Sequence, residues 1–118
     1  MSTIMIIYSE PFLTSYLLAL APTATAKAAA ETELADQLAR ACHSGKPAVW
    51  VDCRLLTTLS TTAAWLLWAC QQRLQRRHAR LVLYRVPAAV ARTLRRTLAG
   101  KEADLLIVPT LDDAAALA

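Results

Sequence analysis

Glycine is nearly absent, with two residues among 118. That excludes collagen-like and linker-like chains, and no glycine-rich loop able to cradle a phosphate is present. Cysteine is scarce and odd in number. Cys42, Cys53 and Cys70 are widely spaced and form no CxxC pair, so neither a disulfide framework nor a zinc knuckle is indicated. They read as small buried hydrophobes in a reducing compartment. Long apolar runs are missing as well. The longest, Ala63 to Cys70, has eight residues, and a membrane-spanning helix needs about twenty. Lys and Arg are absent from Met1 to Glu10. The start therefore lacks the basic flank of a secretory signal, and the expected location is the cytoplasm, without membrane insertion. Acidic residues are absent from Arg73 to Arg96, a stretch that holds eight arginines.

What is present suits one compact domain spanning residues 1–118. Apolar residues make up 56%, above the usual range of about 45–50%, and much of the excess is alanine. Charged residues are 19%, the net charge is +4, and the pI is about 9.3. The local basic excess suits an acidic protein surface, acidic lipid or nucleic acid, or simply a solvated helix exterior. No helix-turn-helix spacing, zinc pattern or RNA-binding strand motif accompanies it, so direct nucleic-acid binding is not expected.

Elements alternate along the chain. Residues 3–8 read as a strand, and residues 15–21, stopping at Pro22, as a second. Thr25 to Cys42 carries Leu34, Leu38 and Ala41 at helical spacing and ends at Gly45-Lys46-Pro47. Ala48 to Cys53 reads as a strand, Thr61 to Arg77 as a helix, and Arg80 to Val86 as a strand. Pro87 to Leu98 reads as a helix, Asp104 to Val108 as a strand, and Leu111 to Leu117 as a closing helix. The expected fold class is α/β. It has a mixed sheet of about four or five strands, mainly parallel at its core, flanked by about four helices.

The segment from Val51 to Leu67 carries the site reading. A strand ends near Cys53, a loop follows, and Ser60-Thr61-Thr62 precedes a helix. Ser60 suits the N-cap, because its hydroxyl can accept a bond from a free N–H of the first turn. Thr61 then takes the first helical position, where a phosphate would meet the positive end of the helix dipole. Trp65 and Trp68 follow Thr61 on one helical face, while Ala63, Leu66, Leu67, Cys70 and Leu74 form a neighbouring stripe. Either the apolar arc is wide and both tryptophans are core, or Trp65 is exposed beside Thr61 as an interface residue. Asp52 and the pair Asp112-Asp113 read as structural. Arg92, Arg95 and Arg96 lie opposite Val90, Leu94 and Leu98 and read as a solvated face. His43 and His78 are isolated. No nucleophile elbow, metal set or paired carboxylates appears, so neither an enzyme nor a metal or cofactor is expected.

The same stretch resembles the STAS domain, the family of bacterial anti-sigma factor antagonists and sulfate-transporter tails. The resemblance rests on Val51-Asp52 at a strand end, the Ser60-Thr61-Thr62-Ala63-Ala64 motif opening a helix, and the order of elements that follows. It is strongest over residues 46–117. It implies a non-catalytic protein–protein interaction module that docks on an anti-sigma factor or kinase, with Thr61 as the phosphorylation position and Ser60 and Thr62 as alternates. The partner-binding residues implied are Ser60, Thr61, Thr62, Ala64, Trp65 and Trp68. Two positions depart from the family pattern: Ser60 stands in place of its Asp, and Ala63 in place of its Gly. The alternative within the family is a structural subunit of a bacterial phospholipid-transport ABC complex, bound to the ATPase. Its oligomeric state is left open.

Overall fold

A computed structural model describes residues 3–11, 15–23, 27–101 and 105–110. The elements in chain order are β1 (Thr3–Pro11), β2 (Ser15–Thr23), α1 (Lys27–His43), β3 (Ala48–Asp52), α2 (Thr61–Arg76), β4 (Arg80–Tyr84), α3 (Ala88–Leu98) and β5 (Leu106–Val108). They build one sheet of five strands in the order β1-β2-β3-β4-β5. The first pair is antiparallel, and β2 through β5 run parallel. The expected closing helix at 111–117 and the Asp112-Asp113 pair lie outside the described residues, where three helices are seen.

The two N-terminal strands are longer than their sequence suggests. Pro22 does not stop β2 but pairs with Ile4 of β1. Strand β3 is opposite only Ser15 to Ala19 of β2. Beyond Ala19 no described strand pairs with the far side of β2, and on that side a missing N–H breaks no ladder among the described residues. A bulge between Ile6 and Tyr8 of β1 absorbs one residue of register.

The core follows from strand alternation and helix periodicity. In β4, Leu81 and Leu83 join the main cluster with Val49 and Val51 of β3. Val82 and Tyr84 point to the other face and are also buried. Burial on both faces is why β4 is a continuous apolar run. Helix α2 buries Ala63, Ala64, Leu67, Cys70, Gln71 and Leu74, a single face of a helix with 3.6 residues per turn. Helix α3 buries Val90, Leu94 and Leu98 and exposes Arg92, Arg95 and Arg96.

Gln71 is the one buried polar side chain within this core among the described residues. Its Oε1 accepts from the Leu81 N–H at 2.8 Å, which ties α2 to the start of β4. Arg77 also makes a tie. Its Nε donates to Cys42 O at 3.1 Å and its guanidinium to Lys46 O at 2.8 Å. It thus satisfies one carbonyl in the last turn of α1, where a helix leaves acceptors free, and one in the loop that follows.

Candidate functional site

The connection from β3 to α2 forms the candidate site at the C-terminal end of the parallel strands. Asp52 Oδ1 accepts from the Arg54 N–H at 3.0 Å, and Cys53 O accepts from the Leu56 N–H at 3.0 Å. These two turns fold the chain back on itself. Cys53, Leu56 and Leu59 are buried anchors, whereas Arg54, Leu55, Thr57 and Thr58 face outward. Leu55 is 45% exposed, which is unusual for its type. Sequence reasoning did not single it out, because two adjacent leucines give no sign of which one turns inward.

Ser60 is the N-cap of α2. Its extended backbone lets the hydroxyl oxygen accept from the Ala63 N–H at 3.1 Å. The same hydroxyl donates to Glu31 Oε2 on α1 at 2.9 Å. A carboxylate carried by another helix is therefore held against the N-cap of α2. Nothing in the local sequence marks Glu31 for this role, because it lies 29 residues away. Thr61 and Thr62 come next and are both exposed.

The structure separates the two tryptophans. Trp65 is 38% exposed, while Trp68 is half-buried against the core. Their rings meet edge to face, 5.8 Å apart with an interplanar angle of 87°. Lys101 Nζ lies 5.5 Å from the Trp65 ring centre and 5.3 Å from that of Trp68, within cation–π range of both. The Trp68 indole N–H is buried without an acceptor among the described residues.

Ala64 must be corrected as a surface contact. It is fully buried, 0% exposed. It lies three residues after Thr61, but its small side chain faces the sheet with Ala63 and Leu67, so a partner cannot reach it without unpacking the helix. The outward set is thus Leu55, Thr61, Thr62 and Trp65, with Ser60 half-buried beneath them. Among the described residues no group of three or more His, Cys, Asp or Glu side chains is placed to hold a metal ion. None of their helices is long and apolar enough to cross a membrane.

Residues 17–108 match the family model described as "Mlab, STAS domain". Comparison with curated proteins gives no match. Among solved structures, a serine-to-glutamate variant of RsbS from Moorella thermoacetica superposes with a TM-score of 0.75 at 14% identity, covering 93% of this chain and 92% of that one. An anti-sigma factor antagonist from Mycobacterium paratuberculosis gives 0.72 at 19% identity, covering 98% and 93%. The anti-sigma factor antagonist SpoIIAA in its unphosphorylated form gives 0.60 at 10% identity, again covering 98% and 93%. At these identities the structural likeness speaks for the fold.

Proposed function

The chain belongs to the STAS domain family, and from that footing we propose that it is a non-catalytic docking module of the anti-sigma factor antagonist kind. Its partner is a regulatory protein, an anti-sigma factor or its kinase, met in the cytosol. The docking face is the outward set Leu55, Thr61, Thr62 and Trp65. Thr61 is the acceptor whose phosphorylation releases the partner.

The observation that carries this reading is the Ser60–Glu31 contact beside an exposed Thr61. The family's acidic residue is missing from the motif, yet Glu31 holds a carboxylate against the Ser60 side chain that stands in its place. The threonine hydroxyl stands at the first position of α2, where free N–H groups and the helix dipole favour an added phosphate. Trp65, one turn further along α2, and Leu55, in the loop before it, are exposed apolar side chains that favour burial against a partner. A phosphate added there would put two negative charges in the middle of that apolar contact, which argues for release rather than recruitment.

A second reading has its own support. The matching family model is the one described by Mlab, and the acceptor position holds threonine. On that reading the chain is a permanent subunit of a bacterial phospholipid-transport ABC complex, and Thr61 is a contact rather than a switch. One experiment separates the two. The chain is co-expressed with an anti-sigma-type serine/threonine kinase from its own genome, and its peptides are mapped. The first reading expects one phosphoryl group on Thr61, absent in Thr61→Ala. An unmodified Thr61 in a chain that copurifies with an ABC ATPase supports the second and refutes the first.

A further inference from the structure

We propose that Cys42 and Cys70 form an oxidisable pair, a modification site at which a peroxide converts two thiols into a disulfide joining α1 to α2. Their sulfurs are 3.0 Å apart, closer than two unbonded sulfurs normally rest. A disulfide needs about 2.05 Å, so bonding requires a shift of about 1 Å. Both are free thiols. Cys42 is 8% exposed and Cys70 2%. A groove of about 180 Å³ between the two helices is lined by Leu38, Leu66, Ala69, Cys70 and Arg73 among others and reaches the Cys70 side of the pair, while Cys42 meets solvent through its own residual 8% exposure.

The surroundings divide the roles between the two sulfurs. The hydrogen bond from Cys70 lowers the Cys42 thiol below its ordinary value, aided by Arg73 and Arg77 of α2 and His43 of α1, against the opposing effect of burial. The same contact and burial push Cys70 up. Cys42 is therefore the nucleophile and Cys70 the resolving thiol. In the first step the Cys42 sulfur attacks one peroxide oxygen. An S–O bond forms, the O–O bond breaks, and the departing hydroxide takes up the Cys42 proton as water. In the second, the Cys70 sulfur attacks the Cys42 sulfenic acid, an S–S bond forms, and hydroxide leaves with the Cys70 proton as a second water. Two thiols lose two electrons and two protons, and one peroxide is reduced to two waters.

Cys53 is an internal control. It is 1% exposed, burial pushes it up to about 12, and its sulfur meets only the Val51 carbonyl, at 3.9 Å, among the described hydrogen bonds. The contact also has a geometric partner. Glu31 meets Ser60 near the starts of α1 and α2, and Cys42 meets Cys70 further along both. At about 1.5 Å per residue the two contacts lie roughly 15 Å apart along either helix. A disulfide would lock the register between helices that the Ser60 bond sets at the other end.

The test uses the full reduced chain, treated with hydrogen peroxide and then alkylated in denaturant. The expected result is loss of two of the three thiols, a mass two hydrogens below that of the reduced chain before alkylation with a single alkyl group added after it, and reversal by dithiothreitol. Trypsin should yield one cross-linked species joining residues 41–54 to 55–73, with the alkyl group on Cys53. Survival of all three thiols, a link through Cys53, a disulfide between two chains, or Cys42 driven to sulfinic acid with Cys70 still free would each overturn the proposal.

Discussion

Replacing Ser60 with alanine removes two interactions at once, and the structure allows the loss to be sized. The Ala63 N–H loses its acceptor at 3.1 Å, and deleting a serine N-cap costs about 1 kcal/mol. The bond to Glu31 Oε2 at 2.9 Å is also lost. It is only partly buried, so its share is about 0.5–1 kcal/mol. The sum is about 1.5–2 kcal/mol. For a chain of 118 residues the unfolding entropy is about 0.25 kcal/mol per kelvin. The midpoint should then fall by roughly 6–8 °C, read by thermal unfolding followed by circular dichroism. Ser60→Asp sharpens the test. Aspartate caps a helix as well as serine, but here it would face Glu31. Two partly solvated carboxylates about 4 Å apart repel by about 1–4 kcal/mol. Ser60→Asp should therefore be destabilising alone and be rescued by Glu31→Gln, with a coupling energy of about 1 kcal/mol or more in the double-mutant cycle. If Ser60→Ala changes stability by less than about 0.5 kcal/mol, or if the cycle shows no coupling, then Ser60 neither caps α2 nor holds Glu31, and the reasoning about the acid fails.

Other consequences are simpler to read. Ala99 ends α3 in the left-handed region at φ 49°, a conformation that disfavours a Cβ by about 1 kcal/mol; Ala99→Gly should raise stability by about that amount in a urea titration. Burial pushes Cys53 and Tyr84 up to about 12 each, from ordinary values of 9.0 and 10.0. Both ionise more easily when unfolded, so their contribution is intact below pH 9 and is lost as pH rises towards 12. Urea midpoints measured from pH 8 to 11 should fall, and Cys53→Ala should flatten the first part of that fall. Gln71→Leu keeps the volume but strands the buried Leu81 N–H that Gln71 accepts from at 2.8 Å; a loss of about 1–3 kcal/mol is expected, and chemical denaturation measures it.

Regular structure was readable where the pattern was local. Alternation and apolar runs marked the strands, and spacing of three and four marked α2 and α3 to within a residue or two. Ser60 was legible as a cap because capping depends on one residue and the turn after it. Strand pairing was harder to read. Pro22 looked like a stop because the sequence does not show that β3 pairs only with the first part of β2. The two tryptophans share a helical face, so their different exposure depends on what packs beside α2, and that includes Lys101. Glu31 with Ser60, Arg77 with Cys42, and Cys42 with Cys70 join residues 28 to 35 positions apart. No motif announces such pairs, because they arise only when α1 and α2 are laid side by side on the sheet.

The most direct measurement is a titration of the chain against its copurified partner, comparing the parent, Trp65→Ala and Thr61→Glu with Arg76→Ala as control. Arg76 is exposed at the far end of α2, about 22 Å from Thr61 at 1.5 Å per residue. The account predicts that Trp65→Ala and Thr61→Glu each weaken binding at least tenfold, about 1.4 kcal/mol or more, while Arg76→Ala binds like the parent. Undiminished binding by Trp65→Ala and Thr61→Glu, or a loss confined to Arg76→Ala, would place the partner on another face and contradict it.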